Sequence, residues 1–287
     1  MIGTQNHSKK QNTLILTPYF NLGPIEMQQA GSFRHFPPLS FPKQTTQIIY
    51  ESKGRAREYS ELAANLYKGC SHGCIYCYAP LALKRSRSEF VKSSVRDNVI
   101  TKFEKDAIKL GNIGEKRPIL LSFTTDPYQH IDEKEQLTRK AIKILHDNSL
   151  KVSILTKGGK RSERDFDLLA KNSELSEYGT TLVFMRDEDR EIIEPFAAPT
   201  SERIKSIIKA HDMGIFTYIS LEPVWFPEDA LEFIELTHEF VDFYKVGKLN
   251  YHPHQKSVDW RQFKNAIVQR LNTYKKHYYI KKDLNNY

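Results

Sequence analysis

Residues 65–80 read Asn65-Leu-Tyr-Lys-Gly-Cys70-Ser-His-Gly-Cys74-Ile-Tyr-Cys77-Tyr-Ala-Pro80. They hold all three cysteines of the chain, spaced C-x3-C-x2-C within eight residues. An odd number packed this tightly is no disulfide framework. In a reducing compartment, close-spaced thiolates read as metal ligands. Three thiolates on one tight loop can take three corners of a [4Fe–4S] cube, leaving the fourth iron open to an external chelator. Two other readings stand beside it. His72 with the three cysteines is a donor set that zinc accepts, although His72 is only two residues from Cys70 and Cys74 and no second ligand pair exists. The three could also be free thiols in a core.

Around this loop the pattern is regular. Short apolar runs at 62–67, 119–123, 152–155, 181–184, 215–221 and 243–246 read as buried strands. Between them, 133–148, 163–172, 201–213, 227–240 and 258–276 carry helical spacing, with Leu137, Ala141, Ile144 and Leu145 on one face of the first. Ser201 is a candidate cap and Gly214 a candidate stop. Apolar strands alternating with amphipathic helices imply a parallel sheet covered by helices. The fold class is therefore α/β, a partial (β/α)6 TIM-type barrel. In such folds the reactive site lies at the C-terminal ends of the strands, and the cysteine loop follows the first one.

The chain has 287 residues, 39% hydrophobic and 11% aromatic, as expected of a globular protein. No run of about 18 apolar residues suggests a membrane helix. The polar N-terminus has no signal-peptide core, so no membrane partner and a cytoplasmic location are expected. Residues 1–58, with Pro18, Pro24, Pro37, Pro38 and Pro42, read as an irregular extension, 59–250 as the core, and 251–287 as a basic, aromatic C-terminal helix or tail. The net charge is +8. From 245 to 287 ten Lys/Arg face two Asp/Glu, interleaved with Tyr251, Trp260, Phe263, Tyr274, Tyr278 and Tyr279. Cations and flat rings together suit a DNA or RNA surface, or equally a solvated terminal helix with a few core aromatics.

The cysteine spacing, with Tyr76 before the last cysteine, resembles the radical S-adenosylmethionine (SAM) superfamily. The longer string from Asn65 to Ala79 resembles its spore photoproduct lyase-like branch. The likeness continues at Thr125-Asp126-Pro127-Tyr128-Gln129, Leu155-Thr156-Lys157, Glu194-Pro195-Phe-Ala-Ala-Pro199 with Arg203, and Leu221-Glu222-Pro223-Val224. It implies a [4Fe–4S] cluster on Cys70, Cys74 and Cys77, with SAM chelating the open iron. It also implies reductive cleavage of SAM to a 5′-deoxyadenosyl radical and an electron donor such as flavodoxin or ferredoxin.

On that resemblance Thr125 and Asp126 contact SAM, where a plain Asp-Pro turn is the alternative. Lys157 pairs with the SAM carboxylate, unless it is a solvated lysine of the 158–161 loop. Glu194 and Arg203 either contact SAM or form an ion pair fixing a loop. Glu222 points toward the mouth of the fold. Tyr76 and Tyr78 pack on adenine or shield the cluster. Gly247 lets adenine approach the backbone, and His252 and His254 read as solvent-facing. The lyase carries a further cysteine where this chain has Phe123, and that thiol returns a hydrogen atom. With no thiol left here, Tyr128 or Tyr76 is the candidate donor. The strand-four serine common in the branch is also missing around Val183-Phe184. The expected substrate is a nucleic acid or nucleobase. The alternatives are a peptide or small metabolite, or a non-catalytic metal-containing nucleic-acid-binding protein.

Overall fold

The computed structural model describes residues 47–287. The proline-punctuated stretch up to Pro42 lies outside the described residues. The first elements are β1 (Ile49–Glu51), a 3-10 turn (Gly54–Glu58) and β2 (Leu62–Ala64). A small antiparallel pair, β3 (Tyr67–Lys68) and β4 (Ser94–Val95), brackets the cysteine loop together with α1 (Ala79–Ala82) and α2 (Arg87–Phe90). Then come α3 (Val99–Asn112), β5 (Ile119–Leu121), α4 (His130–Glu135), α5 (Leu137–Asp147), β6 (Val152–Thr156) and α6 (Phe166–Lys171). The chain ends with β7 (Ser176–Thr181), α7 (Asp187–Ile193), α8 (Thr200–Asp212), β8 (Phe216–Val224), α9 (Pro227–Thr237), β9 (Phe243–Lys248), α10 (Trp260–Thr273), β10 (His277–Ile280) and α11 (Lys282–Asn285).

One sheet runs β1-β2-β5-β6-β7-β8-β9-β10. β1 pairs antiparallel with β2, and all the other neighbours are parallel. Leu62, Ile119, Leu121, Val152 and Ile154 have no exposed surface, as expected of strands covered on both faces. The six expected strand–helix units are present, and β10 adds a seventh parallel strand beyond them. Its sequence, His277-Tyr-Tyr-Ile, is amphipathic and edge-like, so a search for continuous apolar runs passes over it.

β1 lies in the stretch expected as an extension and β10 in the stretch expected as a tail, and both are strands of the sheet. The fourth core strand also begins earlier than the apolar run at 181–184. β7 is built from Ser176-Glu-Tyr-Gly-Thr-Thr, whose polar atoms are satisfied inside the fold; Thr180, for example, donates to the Thr156 carbonyl at 2.9 Å. Pro199 rather than Ser201 takes the N-cap position of α8.

The sheet is open, and the turn after β1 spans it. The Tyr59 hydroxyl bonds Ser220 of β8, and Lys245 of β9 donates to the Tyr59 carbonyl at 2.5 Å. Glu58 accepts from the Tyr279 hydroxyl at 3.2 Å and the Lys282 amide at 2.8 Å. These bonds tie the first strands to the last without backbone closure. No helix among the described residues is long and apolar enough to cross a membrane.

Candidate active site

The cysteine loop is fixed by its backbone. Gly69 has φ +77°, and a Cβ there would collide with the Phe90 carbonyl oxygen, the same oxygen that accepts from the Cys70 amide at 2.9 Å. Gln129 holds the turn from below, accepting from the Ser71 amide at 2.9 Å and donating to the Gly69 carbonyl at 3.3 Å. Arg87 donates to the carbonyls of Cys74 at 3.2 Å and Cys77 at 3.1 Å. On the other side, the Ile75 amide donates to the Ile193 carbonyl at 3.0 Å, and the Phe196 amide to the His72 carbonyl at 3.2 Å. With the backbone held from three elements, the thiols need no partner of their own.

All three thiols line one cavity of about 570 Å³. Its other walls are Ser122, Thr125 and Asp126 after β5, Lys157 after β6, Glu222 in β8, and Lys281 after β10. Each lies at or near the C-terminal end of its strand, where the barrel rule places chemistry. Burial pushes the Cys74 thiol up to about 12, with Glu194 adding to the effect and Lys157 opposing it. Burial raises Cys70 and Cys77 as well, Asp126 adding to the rise at Cys70. Metal coordination removes such protons. Among the described residues no three His, Cys, Asp or Glu side chains converge on one ion-sized point. An iron–sulfur cube presents its irons at separate corners, so thiols spread along one wall suit it.

His72 is spoken for. Its Nδ1 lies 3.4 Å from Asp126 Oδ2, and its Nε2 lies 3.0 Å from the Arg161 guanidinium. Arg161 can only donate, so Nε2 accepts and Nδ1 carries the proton of a neutral ring. Burial lowers the His72 pKa, and Asp126 only partly offsets it. No lone pair remains to complete a zinc set. Asp126 is equally committed. It accepts from the Lys157 amide at 2.7 Å, the Thr156 hydroxyl at 2.6 Å and the Tyr128 amide at 2.8 Å. Burial raises its pKa, but His72 and these donors outweigh that and hold the carboxyl well below the usual range. Asp126 thus joins the β5 and β6 loops beneath the thiols. Thr125 is beside it, its hydroxyl 3.0 Å from Ser122 Oγ.

Glu194 and Arg203 form a fully buried pair at 2.6 Å. Arg203 also donates to the carbonyls of Ala198 at 2.8 Å and Thr181 at 3.0 Å. Of the two expectations for this pair, the loop-fixing one is what the geometry displays. The Tyr76 hydroxyl donates to the other oxygen of Glu194, and Lys157 Nζ stands 4.0 Å from it and 5.6 Å from the centre of the Tyr76 ring. Tyr76 and Lys157 both line the cavity with the three cysteines.

Glu222 sits where the β8–β9 register shifts between Leu221 and Val224, which turns its side chain onto the cavity wall. Its Oε1 accepts from Lys281 Nζ at 2.9 Å, and its Oε2 is buried without a partner. Burial raises the Glu222 pKa, with Lys281 pulling it back. Gly247 does not line the cavity. A Cβ there would come within 2.6 Å of the Glu222 carboxyl carbon and 2.9 Å of the Lys281 side chain. The missing side chain makes room for this ion pair.

Tyr128 is also placed elsewhere. It is buried beneath Gly158, outside the cavity lining, with a hydroxyl that has no partner among the described residues. His252 and His254 pack on Trp225 with ring centres 4.7 and 5.1 Å away, and His254 Nε2 lies 3.0 Å from the Trp225 carbonyl oxygen. Sequence reasoning missed Tyr59, Lys53 and Lys281, all of which line the cavity. No local signal marks them, because they reach it only through the first turn and the last strand. Tyr78 and Lys248 line it too.

A profile of the radical SAM superfamily matches residues 64–241. An uncharacterized protein of Methanocaldococcus jannaschii is 32% identical over 188 residues, covering 65% of this chain and 69% of that protein. An uncharacterized protein of Acidianus two-tailed virus is 27% identical over 222 residues, 72% of this chain and 71% of that one. Among solved structures, a spore photoproduct lyase mutant with bound SAM and dinucleoside spore photoproduct superposes with TM-score 0.65 at 13% identity, over 83% of this chain and 80% of that one. SuiB of Streptococcus suis, bound to SAM, gives 0.58 at 12% identity, over 76% and 49%. The fold is thus that of the lyase, and the profile, covering the cysteine loop and four whole parallel strands, settles the relationship: the chain belongs to the radical SAM superfamily and is one of its enzymes.

Proposed function

We propose that Cys70, Cys74 and Cys77 bind a [4Fe–4S] cluster and that the cavity above it holds SAM, with a nucleic acid or nucleobase as substrate. One observation carries the reading. Three thiols without a side-chain hydrogen-bond partner among the described residues line one cavity, while His72, between the first two cysteines, has both ring nitrogens engaged. Three ligands and no fourth leave one iron for an external chelator.

When bound, the cluster supplies the electron that cleaves the sulfonium of SAM and frees a 5′-deoxyadenosyl radical. The chain's own residues do the positioning. Lys157 offers its ammonium to the SAM carboxylate beside the thiols. Glu222 offers its unpartnered oxygen to a hydroxyl or ammonium donor. Tyr76 presents a ring held in place by its bond to Glu194. Asp126 and Thr125 set the loop geometry beneath them. At the rim, Lys53 and Lys248 have no carboxylate partner among the described residues, and Tyr251 is 67% exposed beside them. Cations flanking an exposed ring suit a phosphate and a base. A spore photoproduct lyase structure holding a dinucleoside agrees with that substrate class.

The test is the anaerobically prepared chain with SAM and dithionite. 5′-Deoxyadenosine is expected, and the Cys74→Ala chain should form none. Deuterium carried from labelled oligonucleotides into 5′-deoxyadenosine identifies the substrate. Transfer from peptides or small metabolites alone would overturn the nucleic-acid part.

A further inference from the structure

We propose that Glu222 and Lys281 read one edge of the substrate's base, an N–H donor lying beside an acceptor; the inference rests on the nucleobase reading above and says where in the cavity the base seats. The Glu222 carboxylate is held at one oxygen only. Its Oε1 accepts from Lys281 Nζ at 2.9 Å, while Oε2 is buried without a partner among the described residues. The Tyr59 hydroxyl is no substitute, because it bonds Ser220. Both members of the pair line the cavity, and Lys281 is only 7% exposed. The ammonium gives one proton to Glu222 and has the Tyr59 ring 5.0 Å away. An ammonium has three protons, so one remains to donate.

A buried acceptor without a donor costs stability, so its presence on a cavity wall points to a ligand that supplies the donor. The same oxygen repels anions. A phosphate therefore seats elsewhere, and Lys53 and Lys248 line the same cavity for it. An acceptor and a donor side by side match a group that carries donor and acceptor on one edge. Every nucleobase has such an edge: an amino group beside a ring nitrogen in adenine and cytosine, a ring N–H beside a carbonyl in guanine and thymine. A trans peptide bond points its N–H and C=O to opposite sides, so a peptide backbone does not match. The adenine of SAM carries the same edge as a substrate base, and the experiment separates the two.

The experiment uses the full chain, reconstituted anaerobically and loaded with SAM, as wild type and as Glu222→Gln. Lys281 can only donate, so it keeps the amide oxygen and leaves the amide nitrogen to the cavity. An acceptor is thereby exchanged for a donor of the same shape. Fluorescence anisotropy follows labelled oligonucleotides that carry a single thymine, cytosine, adenine or guanine in an otherwise abasic tract, each plain or methylated at its donor nitrogen. SAM affinity is titrated on both chains. For the base that wild type binds most tightly, methylation should weaken binding about tenfold or more. In Glu222→Gln the plain and methylated forms should bind within about threefold of each other. An equal methylation penalty in both chains would overturn the proposal. So would a tenfold loss of SAM affinity in Glu222→Gln with the base discrimination intact, which would assign the oxygen to SAM. If circular dichroism shows the variant unfolded, wild type decides, and equal binding of plain and methylated bases overturns the proposal. Wild type that cleaves SAM yet binds none of the oligonucleotides would overturn the nucleobase reading itself, a result distinct from the others.

Discussion

Lys281 Nζ lies 2.9 Å from Glu222 Oε1, so the last strand of the sheet puts a cation on the wall of a cavity whose thiols follow the first parallel strand. Glu222 keeps a second, buried oxygen without a partner, and Gly247 provides the space the pair occupies. Lys281, from the C-terminal stretch, thus lines the same cavity as the thiols. The aromatic rings of that stretch are committed too. Tyr274 stacks on His238 with centres 3.8 Å apart, Trp260 and Phe263 are buried, and the Tyr279 hydroxyl is bound to Glu58.

Deleting residues 275–287 should therefore unfold the sheet edge and abolish SAM cleavage rather than merely weaken nucleic-acid binding. Lys281→Met is the milder form. It leaves a buried carboxylate unpaired, at a cost of about 2 kcal/mol in urea denaturation. Glu222→Gln in the same chain should restore part of that loss, which a double-mutant cycle measures. Additive losses would show that the two side chains do not act together.

Arg203→Met should be more costly, about 3 kcal/mol or more, because it strands Glu194 and two carbonyls in the interior. Glu194 begins the turn whose Phe196 amide holds the His72 carbonyl, so the cysteine loop loosens with it. Iron retained per chain should fall although no thiol was changed, and Arg203→Lys should recover part of it. Full iron content in Arg203→Met would separate the pair from the loop.

Of the two candidate hydrogen donors, Tyr76 lines the cavity and Tyr128 does not. Tyr128→Phe removes an unpartnered buried hydroxyl outside the cavity, so stability should hold or rise by up to about 1 kcal/mol, and 5′-deoxyadenosine formation should stay within about twofold of wild type. Tyr76→Phe removes the bond to Glu194 in the cavity wall and should lower affinity for SAM. Comparing KM for SAM with the rate at saturation reads both. A large loss in Tyr128→Phe alone would reverse the assignment.

Lys245 gives stability a distinct pH dependence. Its ammonium is enclosed by the rings of Tyr59 and Tyr218, 5.0 and 5.3 Å away. Its pKa falls from 10.5 to about 8, chiefly through burial, with Glu177 and Glu222 opposing the fall and Lys281 adding to it. Between those two values the unfolded chain holds the proton and the folded chain does not. Raising the pH through this window therefore stabilises the fold, by at most about 1.4 kcal/mol per unit. Urea midpoints should climb from pH 8 to 9.5 in wild type, and this increment should vanish in Lys245→Met. An identical climb in both would assign it to other groups.

The cysteine loop and most of the parallel strands were legible in the sequence because their signals are local: a fixed thiol spacing and short apolar runs. β7 and β10 were not. One hides its polar residues in internal hydrogen bonds, and the other is an amphipathic edge. Thr125, Asp126, Lys157 and Glu222, expected at strand ends, line the cavity. Their roles were not legible, because whether Asp126 meets a ligand or His72 depends on residues 54 positions apart. What lies against Gly247 was not legible for the same reason. A glycine signals close approach but not what approaches, and here it is Glu222.

The central claim is that three cysteines hold a cluster with one iron open to SAM. Electron paramagnetic resonance of the dithionite-reduced, reconstituted chain, recorded with and without SAM, tests it most directly. The account predicts about four irons per chain, a reduced-cluster signal whose shape changes when SAM is added, and loss of that signal in Cys74→Ala. A colourless protein carrying zinc, or a cluster signal that SAM leaves unchanged, would contradict it.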